Sequence, residues 1–180
     1  MGEPNPLDRQ AVHDELERVR SDFHRLLGQA GAPELHRPTD GTRWTNEQLL
    51  FHMLFGYMLL RALLPLLGVF ARLPHAVSRA FAALLDAAAR PFHVINYLSA
   101  VFGCRYYNHR RMGAEMDRTL AALHRRLDGE STASLRLGMH YPPRWDPFFH
   151  AWMTRAELYR YPTQHYDFHR AQLTLRTAPG

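Results

Sequence analysis

Apolar residues recur at helical intervals along most of the chain. Leu7, Val12, Leu16, Val19, Phe23, Leu26 and Leu27 fall three to five residues apart among charges, which predicts an amphipathic helix over 7–27, ended by Gly28 to Gly31. After a loop with Pro33, Pro38 and Gly41, the run Trp44-Thr45-Asn46-Glu47-Gln48 predicts a second start: Thr45 caps the helix and Gln48 closes a capping box. This second helix continues through an apolar run to Phe70, interrupted by His52, Arg61 and Pro65. The run approaches membrane-spanning length. A histidine and an arginine within it would cost on the order of several kcal/mol in a bilayer, and Pro65 would kink it. The expectation is a helix buried on nearly all sides, or one with a second apolar face for dimer contact.

Pro74 and Pro91 bracket an alanine-rich helix, Ala76 to Arg90, and an apolar segment, Phe92 to Phe102, follows. The two read as an insertion, about 74–103, between longer helices. Tyr106 to Asp128 carries Met112, Met116, Leu120, Leu123 and Leu127 on one face and predicts another long helix, stopped by Gly129. From Gly138 to Phe149 the chain is irregular and aromatic, and is expected to cap one end of the molecule. Thr154 and Glu157 form a further capping box, for a helix that Pro162 bends or restarts and that leads to His165 and His169. No β alternation of useful length and no internal repeat appear. The predicted class is all-α, in one domain over 1–180.

Composition narrows the setting more than the function. All 22 cationic residues are arginine and none is lysine, which removes Schiff-base chemistry and, with the alanine-rich stretches, points to a GC-rich, bacterial origin. The formal net charge of +5 is therefore weak evidence about partners. A single cysteine, Cys104, excludes an internal disulfide and a four-cysteine zinc site. With no basic and then apolar leader in the first residues, a cytoplasmic location is expected.

The chemistry resides in histidine. His165 and His169, four residues apart at 3.6 residues per turn, stand about 40° apart on one face of a helix, a two-tooth chelate. If the helix carrying His52 packs against them, three imidazoles converge on a divalent ion and leave its fourth position open, as catalytic sites do. Zinc, nickel, iron and copper all suit three imidazoles, with zinc or nickel favoured. Such an ion would lower the pKa of bound water toward about 7 and ionise a bound thiol. Gln172, one turn past His169, and Asp167 are candidates to orient the imidazoles; the alternative is that both face solvent, and for Asp167 that is the favoured reading. Arg144, Trp145 and Tyr141 are candidates for the mouth of a substrate pocket, with the arginine gripping a carboxylate; the simpler and preferred reading is that Trp145 and Tyr141 plug the end of the core.

Trp44-Thr45, Leu49 and His52 match the pattern W-[ST]-x3-L-x2-H, and His165-x3-His169-Arg170-x-Gln172-Leu173 matches the closing motif of the DinB-like superfamily, which the chain resembles in helix order throughout. That resemblance implies a four-helix bundle with an extra helical insertion, and the ligand triad His52, His165 and His169. It also implies kinship with metal-dependent enzymes that use low-molecular-weight thiols: mycothiol-dependent maleylpyruvate isomerases and bacillithiol S-transferases. The expected function is hydrolysis or thiol S-transfer on a small molecule by a metal-dependent homodimer, with mycothiol as a conceivable cofactor and neither nucleic acid nor membrane as partner. A non-catalytic metal- or ligand-binding bundle is the alternative. The arginine stripe Arg105, Arg110, Arg111, Arg118, Arg125 and Arg126 suggests nucleic acid, but Glu115, Asp117 and Asp128 interrupt it, and a solvated face explains it more simply. Cys104 as a nucleophile would need a base or a helix N-terminus beside it.

Overall fold

A computed structural model describes residues 9–175. Its first helix, α1 (Arg9–Gln29), buries Val12, Leu16, Val19, Phe23 and Leu26, the stripe that the periodicity predicts. Leu7 lies outside the described residues. After a single turn, α2 (Ala32–Leu35), Thr45 caps α3 (Asn46–Phe70) through the expected capping box with Gln48. The helix is continuous through Pro65, an exposed position, where the missing N–H falls on the outer side.

The insertion consists of α4 (His75–Ala87) and α5 (Ala89–Tyr106). Pro91 lies in the first turn of α5, where a missing N–H leaves no helical bond unmade. The helix predicted from Tyr106 divides there instead. Tyr106 closes α5, and the Asn108 side chain accepts a bond from the Arg110 N–H to start α6 (His109–Asp128). A capping asparagine offers the backbone an alternative to continuing the helix, which outweighs the periodicity on either side.

A short turn, α7 (Thr132–Leu135), precedes the segment expected to be wholly irregular. That expectation needs correction at its beginning, where a strand pairs with one just beyond Phe149. β1 (Gly138–His140) pairs antiparallel with β2 (Trp152–Thr154), matching Gly138 with Thr154, Met139 with Met153 and His140 with Trp152. Three residues per strand are too few for alternation to register in a sequence. The last helix, α8 (Arg155–Arg170), starts at the Thr154–Glu157 capping box and runs through Pro162 without restarting.

Four of the helices close a ring, α1 packing on α6, α6 on α3, α3 on α8 and α8 on α1, while α5 packs on α3. The described chain is thus mostly helical, with its core between these four. Among the described residues α3 alone is long and apolar enough, by length and composition, to cross a membrane. It is also the helix that α5, α6 and α8 all contact, and Leu49, Leu50, Met53, Leu54, Tyr57, Leu60, Leu64 and Leu67 are fully buried along it.

A clasp at one end of this bundle positions the site. Asn46 donates to the Glu34 carbonyl at 2.8 Å and accepts from the Thr174 N–H at 3.0 Å, and the Asp40 N–H donates to the Gln172 carbonyl at 2.9 Å. These bonds tie the loop before α3 to the chain leaving α8. They bring Trp44 and Gln172 to the same end of the bundle as His52.

Candidate metal centre

His52 lies on the second turn of α3, and His165 and His169 are on the last turns of α8. Because α3 and α8 pack against each other, the three imidazoles meet. Ring centroids stand 4.9 Å (His52–His165), 4.8 Å (His52–His169) and 4.5 Å (His165–His169) apart, and one ligand atom from each lies within 4.8 Å of the others. All three side chains are buried. Nitrogens around a tetrahedral zinc ion stand roughly 3.4 Å apart, so the spacing makes the cluster geometrically possible as a metal site.

Burial decides the charge state. It pushes the His52 pKa down to about 3, with His169 adding to the effect, and holds His165 well below the ordinary value, with His52 and His169 contributing. His169 is lowered too, by burial, although its bond to Gln172 acts the other way. Three neutral imidazoles are the form a metal requires. Nδ1 of His52 and Nδ1 of His165 are also sealed from solvent without a hydrogen-bond partner. An unpartnered buried polar atom costs about 1–3 kcal/mol, so the cluster carries a penalty that a bound cation, by engaging the imidazoles, would offset.

Of the two residues proposed to orient the histidines, the structure brings in one. Gln172 accepts from Nδ1 of His169 at 2.7 Å, which directs the lone pair of Nε2 away from Gln172. Asp167 does not join the cluster: it forms a two-pronged ion pair with Arg18 at 3.0 and 2.8 Å on the half-exposed outer surface. At 100° per residue, position 167 lies 200° from both 165 and 169, on the far side of α8. The carboxylate that does approach is Asp146, whose Oδ2 stands 3.6 Å from Nε2 of His165. The Tyr161 hydroxyl donates to it at 2.9 Å and the Phe148 N–H donates to its Oδ1 at 2.9 Å, while burial raises its pKa against the pull of those bonds. Sequence reasoning missed Asp146; its place between Trp145 and Pro147 in the aromatic loop was the one available signal.

The triad and Asp146 share a cavity of about 200 Å³ with Trp44, His93, Trp145 and Phe168. The Trp44 indole packs on His52, with ring centroids 4.4 Å apart, and its N–H donates to the Tyr97 carbonyl of α5 at 3.3 Å. The insertion therefore forms one wall of the site. Of the three expected mouth residues only Trp145 lines the cavity, stacked on Phe92 at 3.7 Å and donating to the Leu85 carbonyl at 2.7 Å. Arg144 occupies the exposed corner of a turn closed by the Trp145 N–H on the Pro142 carbonyl, and its side chain lines none of the cavities described. Tyr141 is 3% exposed against Phe149 and plugs the core.

The other candidates recede. Cys104 is buried, and burial, with Glu47 next, raises its pKa and keeps it a thiol. In the arginine stripe, Arg118 pairs with Glu115 and Arg126 with Glu130. What fold and site define together is a mostly helical protein with three buried, converging histidines under a helical insertion. Comparison with family models, curated proteins and solved structures finds no match.

Proposed function

We propose that this chain is a DinB-like, metal-dependent enzyme that binds one divalent ion, zinc or nickel first, through His52, His165 and His169. Its reaction would be hydrolysis or thiol S-transfer on a small molecule. The observation that carries the reading is the convergence of three buried histidines from two helices, held neutral by burial, on one cavity. An ion held there would supply Lewis acidity toward a water or a thiol. Gln172 sets the tautomer of His169. Asp146, 3.6 Å from His165 and with a raised pKa, stands where it can accept a proton. Trp44, Trp145 and Phe168 line the same cavity and give the reacting end of the ligand an apolar surround. The reading includes a cytoplasmic setting and a homodimer, for which Ile95, Phe102 and Tyr106 of α5, all more than half exposed, offer apolar surface.

The test is elemental mass spectrometry on untagged protein, wild type beside His52→Ala and His169→Ala. About one zinc or nickel per chain, lost in both variants, is expected. A folded wild type that holds no metal after incubation with divalent ions and dialysis would overturn the reading and leave a ligand-binding bundle.

A further inference from the structure

The cavity that holds the triad adjoins a larger basin of about 720 Å³, and the two share Trp44, His93, Asn96, Phe168 and His169. The inner space accommodates only a small reacting group, whereas the outer one falls within the roughly 300–1,000 Å³ of small-molecule sites. Most of its exposed wall is apolar, from Trp44, Val94, Tyr97, Leu98 and Phe168, with Thr42, His93, Asn96 and Gln172 among them. Trp44 and Tyr97 stack at 6.2 Å with ring planes 12° apart, a rigid aromatic face for a ligand to lie against.

The charge of the basin is one-sided. Among the described residues no carboxylate lines it, and its one permanent cation is Arg43. The Arg43 guanidinium carbon lies 5.6 Å over the Tyr97 ring, so one face is taken by the aromatic while the N–H fork remains available. Arg43, like most of the exposed arginines, makes no ion pair among the described residues; what sets it apart is its place on the basin wall. A planar donor fork without an anion, on the wall of a mostly apolar basin that leads to three histidines, selects for a carboxylate attached to an apolar body.

We propose that the outer basin binds an amphipathic carboxylate, with the carboxylate on Arg43, the apolar or aromatic body against Trp44, Tyr97, Leu98 and Phe168, and the other end at the histidines. What happens at that end rests on the metal-site reading; the binding preference does not. A cationic ligand meets Arg43 with no carboxylate to pair it, and a neutral one leaves the guanidinium without its anion.

The experiment is calorimetric titration of the full-length protein, as purified and after chelator treatment, with 4-phenylbutanoate, 4-phenylbutanol and 4-phenylbutylamine. The chelated sample removes any affinity of the carboxylate for a metal. The acid is expected to bind at least about tenfold more tightly than the alcohol in both samples, as a charge-assisted bond implies, and the amine more weakly than either. Arg43→Glu, at an exposed position whose folding is checked by thermal melting, should abolish the preference for acid and favour the amine; Arg43→Lys should keep the sign with a smaller ratio. Equal binding of acid and alcohol after chelation, or a preference that survives Arg43→Glu, overturns the proposal. A preference that persists in a protein shown to hold no metal supports the basin and sinks the metal reading, and the reverse result does the opposite.

Discussion

Gly56 of α3 faces His165 of α8 so closely that a Cβ added at position 56 would stand 3.2 Å from Nδ1 of the imidazole. Glycine in a helix interior costs about 1 kcal/mol relative to alanine, so this position gives up helix stability and in return leaves room for the histidine. Gly56→Ala is therefore expected to leave the melting temperature unchanged or raised while weakening metal binding about tenfold, because the ring must shift by a few tenths of an ångström. Titration with a chromophoric metal-chelator competitor beside thermal melting would show this, and unchanged metal affinity would count against His165 as a ligand.

Asp146 and Asp167 give opposite predictions. Asp146→Asn alters the carboxylate nearest His165, and Gln172→Leu removes the acceptor on His169; each is expected to lower metal affinity about 10–100-fold, as losses of groups that hold ligands commonly do. Asp167→Asn breaks only a half-exposed pair with Arg18 and should change metal affinity by less than a factor of about two, with at most about 1 kcal/mol of stability lost. The same competition titration on the three variants reads both.

The pH dependence has a definite sign. In the folded chain without metal, burial holds His52 neutral down to about 3, whereas the unfolded chain takes up a proton near 6.5. Below 6.5 the unfolded state binds more protons, so stability falls as pH falls, across the window from 6.5 to about 3. His52 alone contributes a loss of about 2 kcal/mol at pH 5. Chemical denaturation of the chelated protein at pH 7 and pH 5 should show at least this difference, reduced in His52→Gln and opposed by added metal.

The insertion is seated by a close approach. A Cβ on Gly103 of α5 would overlap the Phe51 ring of α3 at 2.2 Å, so only glycine lets the two helices meet there. Gly103→Ala should destabilise the protein by about 1–3 kcal/mol through overpacking. Because α5 also carries Tyr97, Val94 and Leu98, the same variant should weaken binding of 4-phenylbutanoate. Loss of stability with ligand affinity unchanged would show that α5 does not form the wall described.

At the other end of the bundle, Arg155 and Glu130 form a buried ion pair with the Ser134 hydroxyl. Burial pushes the Glu130 pKa up, but the bonds from Ser134 and Arg155 outweigh it and leave the carboxyl below its usual range. Glu130→Gln leaves the Arg155 charge uncompensated and is expected to cost about 3 kcal/mol; urea denaturation measures it, and the contribution of Glu130 in the wild type is lost as pH falls through its lowered pKa.

What the sequence determined by itself is what depends on neighbours a few residues apart. Thr45 with Gln48 and Thr154 with Glu157 marked two helix starts, the stripe from Val12 to Leu26 marked a buried face, and the spacing of His165 and His169 placed two imidazoles together, because a helix converts short separations into fixed angles. The same rule already set Asp167 on the opposite face. Where a local signal competed with another, as Asn108 did with the periodicity around it, the pattern misplaced a boundary by three residues. Tertiary structure alone decided what depends on separations of tens of residues. Asp146 reaches His165 only because the hairpin of β1 and β2 returns its loop onto α8, and Arg43 faces Tyr97 only because α5 packs on α3 through Gly103. Those meetings are chosen by which surfaces bury best against one another, a property of the whole packed chain that no short window of residues contains.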